Sequence, residues 1–206
     1  MRLSATINVV GAPKLTAFGY VVISLSSFIP VLVKQEVFKG LHTPFPSVKI
    51  LAISVKFSSK EDMDKLMNLL HLFPLMETLH IKSLDVDEDN SGDIIGSTYY
   101  EKFHPIGCIM NHLNSVRLES KLANSNMLEF ACFLLARAQV LQIMRIRSKT
   151  CGVPEWVTSQ RALLCRSHMI SSEAEILFQD MESYDLEGLS IQLANTLPDP
   201  FDGDHH

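Results

Sequence analysis

Asp85, Asp87 and Asp89 stand at alternate positions in the stretch LDVDEDNSGDI, and this spacing is the first in the sequence that could do chemistry. Carboxylates at positions 1, 3 and 5 of a loop open an EF-hand calcium site, which also needs a glycine at position 6 and a bidentate glutamate at position 12. Counted from Asp85, those two positions hold Asn90 and Gly96. Without the closing carboxylate an ion loses two of its roughly seven ligands. The stretch, with its further acids Glu88 and Asp93, is therefore expected to be a solvated acidic loop and not a metal site.

Other reactive residue types are present without the partners they need. The cysteines Cys108, Cys132, Cys151 and Cys165 include no CxxC pair, so neither a zinc site nor a redox motif is indicated, and reduced thiols in an intracellular protein of nucleus or cytoplasm are expected. Cys151 has Lys149 nearby, but a thiol without a placed base is not a nucleophilic site. His42, His104 and His112 lie near expected turns or strand starts, while His71 and His80 fall on a helix and a strand. None has a ligand or catalytic partner at a telling spacing, and no GxSxG, HExxH, GxGxxG or Walker-type loop occurs. The expectation is a chain without enzymatic activity, cofactor or metal, an enzyme of unrecognised type being the alternative.

At 206 residues with 47% hydrophobic side chains, the chain suffices for one large domain or two small ones. A net charge of −5 gives no indication of nucleic acid as a partner. Leu15 to Val33 carries no charge, which approaches the roughly 18–20 residues of a membrane span. It nevertheless contains Gly19, Ser24, Ser26, Ser27 and Pro30 around a β-rich YVVISL. Buried strands, and no membrane, are expected there.

Internal repetition then gives the positioning elements. FPSVKILAI (45–53) and FPLMETLHI (73–81) share one frame of apolar positions, and NHLNSVRL (111–118), AQVLQIMRI (138–146) and APKLTAFGY (12–20) fit it. In such a frame the last two apolar residues of a short strand enter the core together, because alternate side chains point to one face. Between frames the sequence supplies helices. SSKEDMDKLMNLLHLF (58–73) opens with a Ser58-x-x-Glu61 capping box and places Met63, Leu66, Met67, Leu70 and Phe73 on one stripe. NSNMLEFACFLLARA (124–138) repeats the design with Asn126 as the expected cap. PEWVTSQRALL (154–164) reads as a helix with Pro154 at its first position, and AEILFQD (174–180) as a strand. The predicted fold class is α/β: an irregular leucine-rich-repeat-like solenoid of parallel strands backed by helices.

Residues alternating with the core pairs face the other side of the sheet. In order these are Ala52 and Ser54, His80 and Lys82, Arg117 and Glu119, then Arg145 and Arg147. Parallel neighbours about 4.8 Å apart would align them as a polar, mostly basic ladder open to solvent. His80, Lys82, Arg117, Glu119, Arg145 and Arg147 are the expected partner-binding residues. An acidic or phosphorylated protein surface would suit them, since arginine's planar donors are favoured at interfaces.

A family resemblance covers most of the chain. FPSVKILAISVKF and LMNLLHLFPLMETLHIKS resemble the last repeats of plant F-box/leucine-rich-repeat proteins that carry a C-terminal FBD domain. FHPIGCIMNHLNSVRLES is similar to the opening of the FBD segment, MLEFACFLLARAQVLQIMRI to its helix-and-strand core, and PEWVTSQRALL with DPF to its ending. VVGAPKLTAFGY resembles an upstream repeat. The resemblance implies a leucine-rich-repeat-like segment over 1–100 and an FBD-like domain or cap over 101–202, while the polar composition of LPDPFDGDHH indicates a disordered tail over 203–206. It also implies the substrate-binding half of a ubiquitin-ligase subunit. Gly107 stands before Cys108, where the family usually has an acidic residue. No F-box precedes the repeats, so binding of the ligase adaptor is not expected, and a truncated competitor or inert fragment is the alternative function.

Overall fold

The structure, a computed structural model, describes residues 16–23, 44–85, 95–122, 124–166, 170–171 and 173–181. Its elements are β1 (Ala17–Ile23), β2 (Ile50–Val55), α1 (Lys60–Leu70), β3 (Thr78–Ser83), α2 (Ser97–Glu101), α3 (Gly107–Asn111), β4 (Ser115–Glu119), α4 (Ser125–Leu135), β5 (Ile143–Arg147), a 3-10 turn (Lys149–Gly152), α5 (Pro154–Arg166) and β6 (Glu175–Gln179).

The six strands form one sheet in the order β1-β2-β3-β4-β5-β6, every pair parallel. Parallel neighbours need a crossover connection, and helices supply it here between β2 and β3, β3 and β4, β4 and β5, and β5 and β6. The repetition extends to single atoms. The carbonyls of Thr16, Lys49, Glu77 and Asn114, each just before its strand, accept from two successive N–H groups at the start of the next unit. One such pair is Glu77 N and Thr78 N on Lys49 O, at 2.8 and 2.9 Å. Gln142 O accepts from Glu175 N at 2.8 Å in the same manner. These bonds lock each strand's entry to its predecessor before the sheet ladder begins.

The repeat frame predicts the core. Val48, Leu51 and Ile53, then Met76, Leu79 and Ile81, then Leu113, Val116 and Leu118, then Leu141, Met144 and Ile146 are all buried in one cluster with the helix stripe Met63, Leu66, Met67, Leu70 and Phe73. Phe18 of the earliest frame packs against this cluster and lies 5.9 Å from the Phe73 ring. α4 is apolar nearly all round, as the sequence indicates, and buries Met127, Leu128, Phe130, Ala131, Leu134 and Leu135. Phe130 reaches the rings of Phe57 and Tyr100, each at 5.8 Å, which ties α4 to the β2–α1 turn and to α2.

Two expected caps are displaced. The cap of α1 is Ser59, whose side chain accepts from Asp62 N at 3.2 Å, and not Ser58. Ser58 is instead drawn to Asp85. The cap of α4 is Asn124, which accepts from Met127 N. The expected cap Asn126 lies inside the helix, buried, and accepts from Ile95 N at 2.7 Å, tying α4 to the segment before α2. Pro154 opens α5 as expected, and Trp156 meets Phe178 of β6 edge to face at 5.9 Å. The short helices α2 and α3 were not anticipated.

The boundary placed at residues 100 and 101 falls within α2, and the sheet runs on across it through the pairing of β3 with β4. Residues 86–94 of the acidic loop, the uncharged run after Ile23 and the tail 203–206 lie outside the described residues. No helix among the described residues is long and apolar enough to cross a membrane.

Candidate functional site

The ladder read from the sequence is in register. Ala52, His80, Arg117, Arg145 and Leu177 follow one another across the sheet as one row. Ser54, Lys82, Glu119, Arg147 and Gln179 form the second. Both rows lie on the face opposite Leu51, Ile53, Leu79, Ile81, Val116, Leu118, Met144 and Ile146, as the alternation of the pleat requires. None of the ladder residues from Ala52 to Arg147 joins the core cluster.

Their environment differs from the expectation. A solvent-open ladder was anticipated, yet Ala52, Ser54, His80, Arg117 and Arg147 are buried, Arg117 to 4% exposure. Lys82, Glu119 and Arg145 are half-buried. Part of the reason lies in the ladder itself. Long side chains one strand apart lie against each other, and the two buried arginines turn toward the same acid. Glu119 accepts from Arg147 at 3.1 Å and lies 3.9 Å from Arg117 Nε. The two rows together carry four cations, Lys82, Arg117, Arg145 and Arg147, and the acid Glu119. The arrangement is a compact row of cations on a rigid sheet, suited chemically to carboxylates or phosphates.

A second cluster was visible in sequence only as the start of the acidic loop. Asp85 is half-buried just past β3 and gathers five donors. Phe57 N donates at 2.9 Å and Ser58 N at 3.2 Å, joined by the Ser58 hydroxyl. Ser83 Oγ donates at 2.8 Å and Asn124 Nδ2 at 3.1 Å. Burial opposes the charge, but the hydrogen bonds from Ser58, Ser83 and Asn124 outweigh it and hold the carboxyl below its ordinary value. Its lone pairs are thus engaged by protein donors. The signal that could have revealed this is distance: Asp85 follows Phe57 by 28 residues, the interval of the repeat.

A third cluster joins α2 to α1. Tyr99 donates to Asp64 Oδ1 at 2.8 Å, and Lys102 donates to the same oxygen at 2.7 Å while lying 3.8 Å from the centroid of the Tyr99 ring. Burial and the adjacent carboxylate push the Tyr99 phenol up, so it stays a donor throughout the physiological range. This is a fastening between successive units.

The thiols of Cys108 and Cys151 are poor nucleophiles. Burial pushes both the Cys108 and Cys151 thiols up to about 11, which keeps them protonated at neutral pH. Cys108, Cys132 and Cys151 are free thiols. His104 is exposed and lines a cleft together with Phe103, Ile109, Met110, Phe133 and Arg137. Among the described residues no group of three histidine, cysteine or acidic side chains could hold a metal ion.

Comparison with known proteins agrees with the repeat frame. Residues 1–81 match the family model described as FBD-associated F-box protein At5g56370, LRR repeats. Neither a curated protein nor a solved structure matches the chain. The resemblance to the plant F-box/leucine-rich-repeat proteins, read first from FPSVKILAI and its relatives, is thus supported over residues 1–81 by an independent match.

Proposed function

We propose that the chain is a non-enzymatic recognition module that binds a protein target through the polar ladder of its sheet, in the manner of the substrate-binding half of an F-box ubiquitin-ligase subunit. Leucine-rich repeats of this family kind support protein binding in general. The specific reading rests on one observation: the in-register row His80–Arg117–Arg145 flanked by Lys82, Glu119 and Arg147. A sheet holds such side chains at fixed spacing, so little conformational freedom remains to be lost when a partner docks. The net positive row favours acidic or phosphorylated residues on that partner. Residues 101–202 are read as the FBD cap that closes the repeats, with Trp156 of α5 against Phe178 of β6.

The test is affinity capture from plant extract with the unaltered chain and with a Lys82→Ala/Arg145→Ala variant, both half-buried positions. A discrete partner held by the first and lost by the second, at equal melting temperature, supports the reading. Identical captures from both chains, or chaperones alone, would sink it.

A further inference from the structure

A second surface is built by α3 and α4. Phe103 and His104, just after α2, line a cleft with Ile109 and Met110 of α3, Phe133 of α4, and Arg137 just past the end of α4. Ile109 belongs to the core cluster, and Phe103 and Phe133 pack against it. The cleft therefore lies on the helix side of the sheet, away from the ladder. It holds about 230 Å³ of space, open solvent included, below the roughly 300–1,000 Å³ of small-molecule sites. Its size suits one side chain of a docked peptide.

Two observations give the chemistry of the occupant. The first is apolar surface at the cleft and close to it. Gln139 N donates to Met110 O at 3.2 Å, which brings Val140, 43% exposed, to within a residue of the rim. Ile170 N donates to Leu135 O at 3.2 Å, which sets Ile170, 53% exposed, at the end of α4, two residues before Arg137. Apolar side chains gathered at a surface mark a contact site. The second observation is charge. Arg137 is half-buried, its guanidinium carbon 6.0 Å from the centroid of the Phe133 ring. Among the described residues no carboxylate pairs with it, and none lines the cleft. A guanidinium beside an apolar floor is complemented by a carboxylate that arrives next to an apolar side chain.

We infer that this cleft docks a short peptide segment of a protein partner in which a leucine or phenylalanine precedes an aspartate or glutamate. The apolar side chain enters beside Met110 and Phe133, and the carboxylate meets Arg137. The site lies apart from the ladder and does not rest on the function proposed above. One apolar anchor and one ion pair make a weak contact on their own, with a Kd on the order of 1 mM.

The experiment titrates the full chain, isotope-labelled at its methionine methyl groups, with the synthetic peptide Ser-Gly-Phe-Asp-Glu-Gly-Ser and follows the Met110 methyl by NMR. One control peptide has Ala in place of Phe, and another has Asn-Gln in place of Asp-Glu. The Met110 methyl is expected to shift saturably by about 5 mM of the first peptide. The Ala peptide should give no saturable shift. The Asn-Gln peptide should bind about fivefold more weakly, the loss of one charge-assisted contact. An Arg137→Gln chain with an unchanged melting temperature should bind the acidic and Asn-Gln peptides equally, and Arg137→Lys should restore part of the difference. If Arg137→Gln melts lower, the peptide pair on the unaltered chain decides alone. Absence of a saturable Met110 shift would overturn the docking. A shift without preference for the acidic peptide would overturn the assigned partner chemistry. Loss of binding in a Lys82→Ala/Arg145→Ala chain, with binding kept in Arg137→Gln, would place the peptide on the ladder and overturn the cleft.

Discussion

Asn124 serves Asp85 and the first turn of α4 with one side chain: its Nδ2 donates to Asp85 Oδ2 at 3.1 Å, while its Oδ1 accepts from Met127 N at 2.8 Å. The two residues are 39 apart in sequence and belong to different units. Asp85 also gathers Phe57, Ser58 and Ser83. Three successive turns at the C-terminal end of the strands are therefore pinned to one carboxylate.

Replacing Asp85 with alanine leaves the backbone N–H groups of Phe57 and Ser58 without their acceptor, and orphaned buried donors cost about 1–3 kcal/mol each before relaxation. A destabilisation of about 3 kcal/mol is expected by urea unfolding. Asn124→Ala should cost about 1–2 kcal/mol as a lost helix cap. Because the pair is in contact, the double variant should fall short of the sum by at least about 0.5 kcal/mol. Strict additivity would show that the Asp85–Asn124 bond contributes nothing.

The acid limb of stability follows from the same carboxylate. Its folded-state value lies below the ordinary 3.8, so its contribution is present in full above that unfolded value. The contribution is lost as pH falls from there through the lower folded value. Between pH 5 and 8 it is constant. Melting temperature against pH should drop below about pH 4 in the unaltered chain and less steeply in Asp85→Asn, whose starting stability is lower. Parallel acid limbs for the two chains would refute this.

Glu119 faces Arg147 and Arg117 with 16% of its side chain exposed. Glu119→Gln removes a charge that two buried guanidiniums share, and breaking a largely buried pair from one side costs on the order of 3 kcal/mol. The midpoint in urea should fall accordingly, with an unchanged slope. A neutral result would mean that the carboxylate is dispensable to both arginines.

Thiol chemistry gives an independent check of the core. Cys108 is buried and pushed up to about 11, so at pH 7.5 the native chain should alkylate there with iodoacetamide at least a hundredfold more slowly than the urea-unfolded chain, read by peptide mass spectrometry. Comparable rates would place Cys108 at the surface.

Much of this architecture was legible in the sequence because strand alternation and helical spacing are local rules. Leu51 with Ile53 and Leu79 with Ile81 announce both the core and, by default, the ladder between them. The rules do not say what covers a face. Arg117 was therefore assigned to the correct side of the sheet but to solvent, where it is not found. Caps slipped for a related reason. Ser58 and Ser59 are equally competent by composition, and the choice was made by Asp85, a residue of the following unit that claims Ser58. Asn126 yielded to Asn124 because the backbone of Ile95 needed an acceptor. The short helices α2 and α3 have too few residues to show a period.

The strand order β1-β2-β3-β4-β5-β6 has a mechanical consequence. Among the described residues β1 and β6 are the opposite edges of the sheet, five spacings or about 24 Å apart. A load applied between β1 and β6 therefore pulls across the sheet and not along its strands, so hydrogen bonds between neighbours open a few at a time instead of shearing together. Under tension the molecule should peel from an edge in successive low-force steps, each releasing about one repeat of chain.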